Sequence, residues 1–492
     1  MRERETKLLI DPDVPFPPIE DVLVEFGERT TEAVAQTATY FDTSDLRLTR
    51  AGVSLRFRSD DGWTIKIPKA DAGDGLSRDE QAFGAEVGDP PAAALEAVLP
   101  WARSEPLSDV ARIETRRERT RIFAEDGSIA CEVDDDDVHG FVNGELTIHF
   151  REVEVETPDD GDRAVGKRVV KALRAAGAGA SPSVPKIARV LGDAAATPPD
   201  LPTLPELDKH STVTDLVRAS ISTAAESLID HDALARAGED PEGVHRARVA
   251  TRRLRSHLRT FGPLVDEEWS DRLRAELQWL GAELGHVRDA DVLLGKIEIH
   301  ADALPTDLHA ASLAITDGLR AQRDRDRATL LAAMRSPRYV SLLDDLIDGA
   351  LAPQMRADRR DDLVVDSVRR MTRHPRKRLR ATVKALPGAP SADDLHEVRK
   401  RAKQTRYAYE AIALVVGTSA RRTAARLTEL QDLLGDHHDA TVAFDWLRAA
   451  ASDQSDPEVA FVAGVIADRF VAEERRIGNR WRSAWHHVRR EM

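Results

Sequence analysis

The chain is short of cysteine, of aromatic residues and of long apolar runs, and each shortage removes a class of function. Cys131 is the single cysteine in 492 residues. No internal disulfide can form and no Cys/His cluster of zinc spacing exists, so thiol redox and structural zinc chemistry fall away and a cytoplasmic setting is expected. Aromatic residues make up 5% of the chain, and few stand beside basic stretches, which disfavours nucleic acid recognised by base stacking. No segment approaches the roughly 18 consecutive apolar residues of a membrane span. The opening MRERETKLLI carries acids and lacks the apolar stretch of a signal peptide, so neither a membrane partner nor secretion is expected.

What is present is charge, unevenly placed. Residues 1–200 hold 25 Lys and Arg against 40 Asp and Glu, which accounts for the whole formal net charge of −15, while residues 201–492 balance at 46 of each. The asymmetry and the length together predict at least two domains. Period-two runs such as VSLRFR, WTIKIP and LTIHFREVEVE fill the first 190 residues and read as antiparallel strands. A Pro- and Ala-rich stretch over 191–208 reads as a linker, and Ala, Leu, Arg and Glu at helical spacing dominate 209–487. The fold class expected is α+β with two domains: an antiparallel sheet, then an all-α bundle.

The helical part repeats itself. His245, Arg248, Arg252 and Arg255 recur as His396, Arg399, Lys403 and Arg406, each displaced by 151 residues, and LGHVRDADV at 284–292 recurs as LGDHHDATV at 434–442, displaced by 150. Two landmarks in one order at nearly one spacing predict a duplicated bundle with approximate two-fold symmetry. Offsets of 0, 3, 7 and 10 fall within an arc of roughly 80° on a helix, so the His and three cations of each copy share one face. Arg, Lys and His together suit phosphate oxygens. His437 and His438 diverge by about 100° as helical neighbours, which argues against a shared metal. The Arg-rich stretch 369–380 reads equally well as an extension of the basic track or as an ordinary solvated face.

These paired segments, HxxRVxxRRLR and HxxRKxxKxxRY, each followed by LGxxxDAxV, resemble the CHAD family of conserved-histidine α-helical domains. The resemblance implies two pseudo-symmetric helical bundles and binding of inorganic polyphosphate by His245, Arg248, Arg252, Arg255, His396, Arg399, Lys403 and Arg406, with Arg253 and Lys400 beside them.

The first part carries acids and cations on alternate positions. Glu3, Glu5 and Lys7 share one strand face, as do Glu152, Glu154 and Glu156, Glu132, Asp134 and Asp136, and on the cationic side Arg56 with Arg58 and Arg117 with Arg119 and Arg121; Lys66 joins from WTIKI. Carboxylates about 7 Å apart on one face repel unless cations or a metal lie opposite. A small barrel lined by both signs would hold a polyanion and a divalent metal together, and oxygen donors favour Mg²⁺ or Mn²⁺. The order ExExK, YFDT, AGVSLRFR, WTIKIP and EVEVE resembles the CYTH family, the triphosphate tunnel enzymes, over residues 1–190. That resemblance implies an eight-stranded antiparallel tunnel and a divalent-metal-dependent triphosphatase. Glu3, Glu5, Glu152 and Glu154 would hold metal, with Asp134 and Asp136. Arg56, Arg58, Lys66, Arg117 and Lys186 would grip triphosphate, and Lys7 would attend the attacking water, with Glu3 and Glu5 beside it. The substrate expected is inorganic triphosphate or short polyphosphate. The alternatives are a non-catalytic polyphosphate-binding protein located on granules and, further off, a thiamine triphosphatase or adenylyl cyclase.

Overall fold

Alternation of buried and exposed side chains carries the first half of the chain into strands: β1 (Arg4–Ile10), β2 (Arg29–Asp42), β3 (Ser54–Arg58), β4 (Gly62–Pro68), β5 (Arg78–Ala82), β6 (Ser108–Phe123), β7 (Ile129–Val142), β8 (Glu145–Thr157) and β9 (Gly179–Ala180). The computed structural model describes residues 4–11, 16–26, 28–68, 78–84, 86–158, 163–181, 184–201, 204, 206–238, 240–453 and 455–492. The chain divides into two units, Met1–Asp200 and Leu201–Met492.

The strands form one antiparallel sheet in the order β5-β4-β3-β2-β6-β7-β8-β1-β9. The expectation of eight strands closed into a tunnel is corrected in two respects. Among the described residues there are nine strands, because the two-residue β9 adds to β1 through Leu8↔Ala180 and Leu9↔Gly179. The ladder also ends at β5 and β9 among the described residues. Enclosure comes from curvature: Asp134, Asp136, Glu152 and Glu154, all on one sheet face, are 0–6% exposed, which long twisted strands achieve by coiling around that face. Asn143 and Gly144, both at positive φ, make the tight β7–β8 connection, the conformation an Asn-Gly hairpin turn requires. With the one-residue register shift between Gly140 and Phe141, they set the β7–β8 register on which the acids depend.

Two apolar clusters hold the sheet. Leu8, Ile10, Cys131, Val133, Val153 and Val155 project from the opposite face and pack with Val169 and Leu173 of the helix Arg163–Ala175. On the acidic face, Ile187 and Val190 of the helix Lys186–Leu191 pack with Ala38, Tyr40, Ile113, Val138 and Phe150, forming an apolar plug beside the charges. Part of the stretch read as linker is anchored to this first unit: the Arg50 Nε donates to the Pro198 carbonyl at 2.8 Å and its Nη2 meets Asp200 at 2.8 Å.

The second unit is helical and its halves repeat in order. Val213–Asp230, Pro241–Phe261, Glu267–Asp302, His309–Met334 and Pro337–Leu351 are followed by Val364–Lys384, Ala392–Val416, Thr418–Asp453, Pro457–Gly478 and Trp481–Glu491, the long third helix being 36 residues in each half. The symmetry is written into two reciprocal hydrogen bonds: Val213 N donates to Asp362 O at 2.8 Å, and Val364 N donates to Ser211 O at 3.0 Å. Each atom pair is its partner displaced by 151 residues, as an isologous two-fold contact demands. Among the described residues no helix is long and apolar enough to cross a membrane.

Candidate functional site

Strand register delivers the charges of the first unit to one place. Asp134 pairs with Glu154 and Asp136 with Glu152 across β7 and β8. Lys7 lies opposite Glu154 and Glu5 opposite Glu156 across β1 and β8, while Arg117 and Arg119 face Asp136 and Asp134 across β6 and β7. The side chains close into a network. Lys186 contacts Asp136, Glu154 at 3.1 Å and Glu152 at 3.7 Å. Arg117 reaches Asp134, Asp136 at 2.6 Å and Glu154 at 3.0 Å. Lys7 pairs with Glu154 and, at 2.7 Å, with Glu5. Arg119 clasps Asp134 through Nε at 2.9 Å and Nη2 at 3.0 Å.

The network sets protonation states. Burial works against the Lys186 charge, yet Glu154, Asp136 and Glu152 outweigh it and raise its pKa. Lys7 is likewise raised, burial being overcome by Glu154 and Glu5. Glu154 is held well below the usual carboxylate range, against its burial, by Lys186, Lys7 and Arg117. Glu5 moves the other way, pushed up by burial and by the Glu154 charge. An ammonium so stabilised donates hydrogen bonds and is a poor base, so Lys7 is suited to orienting a water rather than deprotonating it.

A second cationic group lies on β3 and β4. Arg56 Nε donates to Thr64 Oγ1 at 3.0 Å, and Lys66 pairs at 2.9 Å with Glu80 of β5, which also stands 3.6 Å from Arg56. Burial opposes the Arg56 charge, but Tyr40 and Glu80 raise its pKa. Arg58 is turned to the β3–β4 connection, where it pairs with Asp60 at 2.8 Å and Asp61 at 2.9 Å.

The acids fit a hard divalent cation. Carboxylate oxygens of Glu5, Glu154 and Glu156 lie within 4.8 Å of one another. Glu152 Oε1 is buried without a hydrogen bond, while its other oxygen accepts from Ser181 Oγ at 2.6 Å and from Arg189 Nη1 at 3.0 Å. An all-oxygen donor set of this kind is suited to Mg²⁺ or Mn²⁺. Of the expected ligands, Glu5 and Glu154 come together with Glu152 nearby. Asp134 and Asp136 are clasped by Arg119, Arg117 and Lys186, and Glu3 lies outside the described residues. Glu156 joins as a donor that the predicted ligand set omitted, although the alternation of REVEVE points to it. Glu80 carried no motif and enters only through tertiary contact; Ser181 and Arg189 flank Lys186 in SPSVPKIARVLG but were not among the predicted residues.

In the second unit the basic helices Pro241–Phe261 and Ala392–Val416 pack together, and Arg252 Nε donates to Tyr407 Oη across them at 2.8 Å. Burial, followed by repulsion from Arg252, Arg399, Arg248 and Arg406, pushes the Lys403 pKa down to about 7. Among the described residues neither Arg252 nor Lys403 has a carboxylate partner. Arg399 Nε and His396 Nδ1 are buried without a hydrogen bond. Arg248 is held by Asp289 at 2.7 Å. Two glycines make room symmetrically: a Cβ at Gly285 would stand 3.6 Å from the Arg248 guanidinium, and one at Gly435 3.4 Å from that of Arg399.

The histidines line the same helices. The His396 and His438 rings lie 4.0 Å apart, and burial together with His396 and Arg399 brings the His438 pKa to about 4. His245 is lowered by burial and by Arg288, the counterpart of His438.

The other expected phosphate contacts are engaged elsewhere. Arg253 and Arg406 share Glu410 at 3.5 and 3.4 Å, Arg255 Nη2 donates to Gln278 at 3.2 Å, and Lys400 pairs with Glu397.

Comparison with known proteins agrees with both units. Residues 1–188 match the CYTH domain family and residues 219–448 the CHAD domain family. An uncharacterised protein of Mycobacterium tuberculosis (strain CDC 1551 / Oshkosh) is 31% identical over 457 residues, covering 87% of this chain and 85% of that protein. Among solved structures, the CHAD domain from the plant Ricinus communis is 25% identical, with a TM-score of 0.47, covering 58% of this chain and 95% of that one. PptA from Streptomyces chartreusis is 23% identical, with a TM-score of 0.48, covering 56% of this chain and 100% of that one.

Proposed function

The chain belongs to the proteins that join a CYTH domain to a CHAD domain, and from that premise we propose that its first unit hydrolyses inorganic triphosphate or short polyphosphate while its second binds longer polyphosphate chains. CYTH domains are metal-dependent and act on triphosphate substrates, so the role is triphosphate-related in kind. The observation that carries the finer reading is the network in which Glu5, the buried Glu154 and Glu156 stand against Lys7, Arg117 and Lys186. Each sign neutralises the other in the free protein. A triphosphate with its counter-cation brings both signs, so the carboxylates and the ammonium and guanidinium groups can exchange partners without leaving a buried charge bare.

Bound Mg²⁺ or Mn²⁺ would supply Lewis-acid polarisation of the transferred phosphoryl group. Glu5, Glu154 and Glu156 would hold it, with Glu152 in support. Arg117 and Lys186 take phosphate oxygens at the centre, Arg56 and Lys66 further along, and Lys7 orients the water for in-line attack. In the second unit Arg252, Arg399, Lys403 and Arg248 take the oxygens of a longer chain, which would also place the protein on polyphosphate granules.

The test is phosphate release by the full chain from triphosphate, long-chain polyphosphate, ATP and thiamine triphosphate, with Mg²⁺, Mn²⁺ or chelator. Chelator-sensitive release from triphosphate is expected. The uncompensated cation cluster favours one second reading, a polyphosphate-binding protein without turnover. No release from any substrate, with binding of long chains retained, selects it.

A further inference from the structure

We propose that Asp137, His139 and His149, on the outer face of the sheet, form a second metal centre that takes a transition-metal dication such as Zn²⁺. It is separate from the carboxylate cluster inside and does not depend on the hydrolase reading.

Register puts the three ligands together. His139 of β7 lies directly opposite His149 of β8, and directly opposed residues of an antiparallel pair have Cβ atoms about 5 Å apart, within reach of one ion for two imidazoles. Asp137 is two residues along β7, hence on the same face. The side chains are already convergent. The His149 Nε2 is 2.6 Å from Asp137 Oδ1, the two imidazoles stack with centroids 4.4 Å apart and planes 24° apart, and one donor atom from each residue lies within 4.8 Å of the others. Ligand atoms around a tetrahedral ion with bonds of about 2.0 Å are separated by about 3.3 Å, so modest side-chain rotation closes the site. The His149 and Asp137 side chains are 43% and 41% exposed, which gives both entry for an ion and room for that rotation.

The surroundings leave Asp137 available. Arg151, its register partner on β8, is occupied by Asp135 through Nε at 2.8 Å and Nη2 at 2.6 Å. On the other side, β6 places Arg116 opposite Asp137 and Glu114 opposite His139. Glu114 pairs with Arg112 at 3.4 Å, and from its register position opposite His139 it would support a ligating imidazole on turning toward the site. Two imidazoles with one carboxylate select Zn²⁺, Co²⁺ or Ni²⁺ over Mg²⁺, the inverse of the preference of the oxygen-only cluster. Three protein ligands leave a coordination position for water. An ion here spans β7 and β8, the strands whose inner faces carry Asp134, Asp136, Glu152 and Glu154, and so pins the register that builds the inner network.

The experiment uses the chelator-treated full chain titrated with Co²⁺ and, separately, Zn²⁺. One equivalent of Co²⁺ should produce the visible absorption of a low-coordinate nitrogen- and oxygen-ligated ion, and Zn²⁺ should raise the Tm with increasing concentration. His149→Gln and His139→Gln should each weaken binding by more than about 100-fold, whereas Glu114→Gln, in a supporting position, should cost about 10-fold. Glu154→Gln, its thermal transition followed because it destabilises the inner network, should leave the Co²⁺ spectrum of the folded protein intact. Absence of Co²⁺ and Zn²⁺ binding, or binding that survives both histidine substitutions, overturns the proposal. Asp137→Asn provides a nearly isosteric check with no change of fold expected, and unchanged affinity in that variant removes Asp137 from the site.

Discussion

The two units assemble their cations under opposite electrostatic conditions. In the sheet, Lys186 sits among Asp136, Glu152 and Glu154 and its pKa is raised; in the helical unit, Lys403 sits among Arg248, Arg252 and Arg399 and its pKa falls to about 7. Both side chains are largely buried, so the difference lies in the company each keeps. A compensated cluster is suited to an incoming ligand of both signs, metal with phosphate, because nothing is left unpaired by the exchange. A cluster in which Arg248 is held by Asp289 while Arg252 and Lys403 have no carboxylate partner among the described residues keeps repulsion that a bare anion would relieve.

The sharpest way to break this comparison is to remove compensation. Glu154→Gln leaves Lys7, Lys186 and Arg117 each short of one counter-charge and deletes a metal donor. Metal-dependent phosphate release should fall on the order of 10²–10³-fold or more. Loss of one partner from a buried network also costs about 3–5 kcal/mol of stability, so the thermal transition should be followed alongside turnover. Unchanged release would remove Glu154 from the reaction. Next in size is removal of the uncompensated charges. Arg252→Ala should weaken long-chain polyphosphate binding by about 10- to 100-fold, the worth of one charge-assisted hydrogen bond. Triphosphate hydrolysis should stay within about twofold, as expected for sites that share no partners. Loss of both activities together would contradict separable sites.

Much of this division was legible in the sequence, for physical reasons that differ between the units. Period-two alternation of acids and cations shows which side chains share a sheet face, and the displacement of 151 residues from His245 to His396 anticipates the reciprocal bonds of Val213 and Val364. Strand β9 was not legible, because Gly179–Ala180 has no alternation and becomes a strand only by pairing with β1. Partner choice was equally hidden. Helical spacing puts Arg252, Arg255, Lys403 and Arg406 on basic faces, but only packing shows that Arg253 and Arg406 meet at Glu410 while Arg252 and Lys403 meet no acid among the described residues. In the sheet, β4–β5 register is what brings Glu80 to Lys66.

The same contrast has a pH signature. With its pKa brought down to about 7, Lys403 is about half-charged at that pH in the free protein, and a phosphate bound beside it would hold it charged, so such binding would take up a proton above pH 7. Long-chain affinity should therefore decline as pH rises from 7 to 9, by at most about tenfold per unit. Lys403→Arg, which stays charged, should flatten the profile. Stability should run the other way. A lysine whose pKa is lower when folded than when unfolded leaves the unfolded chain with more bound protons between the two values, so this contribution to stability grows as pH rises above 7. A profile that is equally steep in the arginine variant would assign the dependence to other groups.

The smallest expected effect separates packing from binding at one atom. Gly435 lies in the long helix Thr418–Asp453, where alanine is intrinsically favoured by about 1 kcal/mol. A Cβ there would stand 3.4 Å from Arg399 Nη2, at the near limit of ordinary contact, so the methyl group restricts where the guanidinium tip can move. Gly435→Ala should raise stability by up to about that amount while weakening polyphosphate binding a few-fold. Gly285→Ala, whose Cβ would stand at an ordinary contact distance of 3.6 Å from Arg248, should leave binding unchanged. Unchanged binding in the Gly435 variant as well would mean that the close guanidinium–helix contact is a packing feature and that Arg399 reaches phosphate from another rotamer.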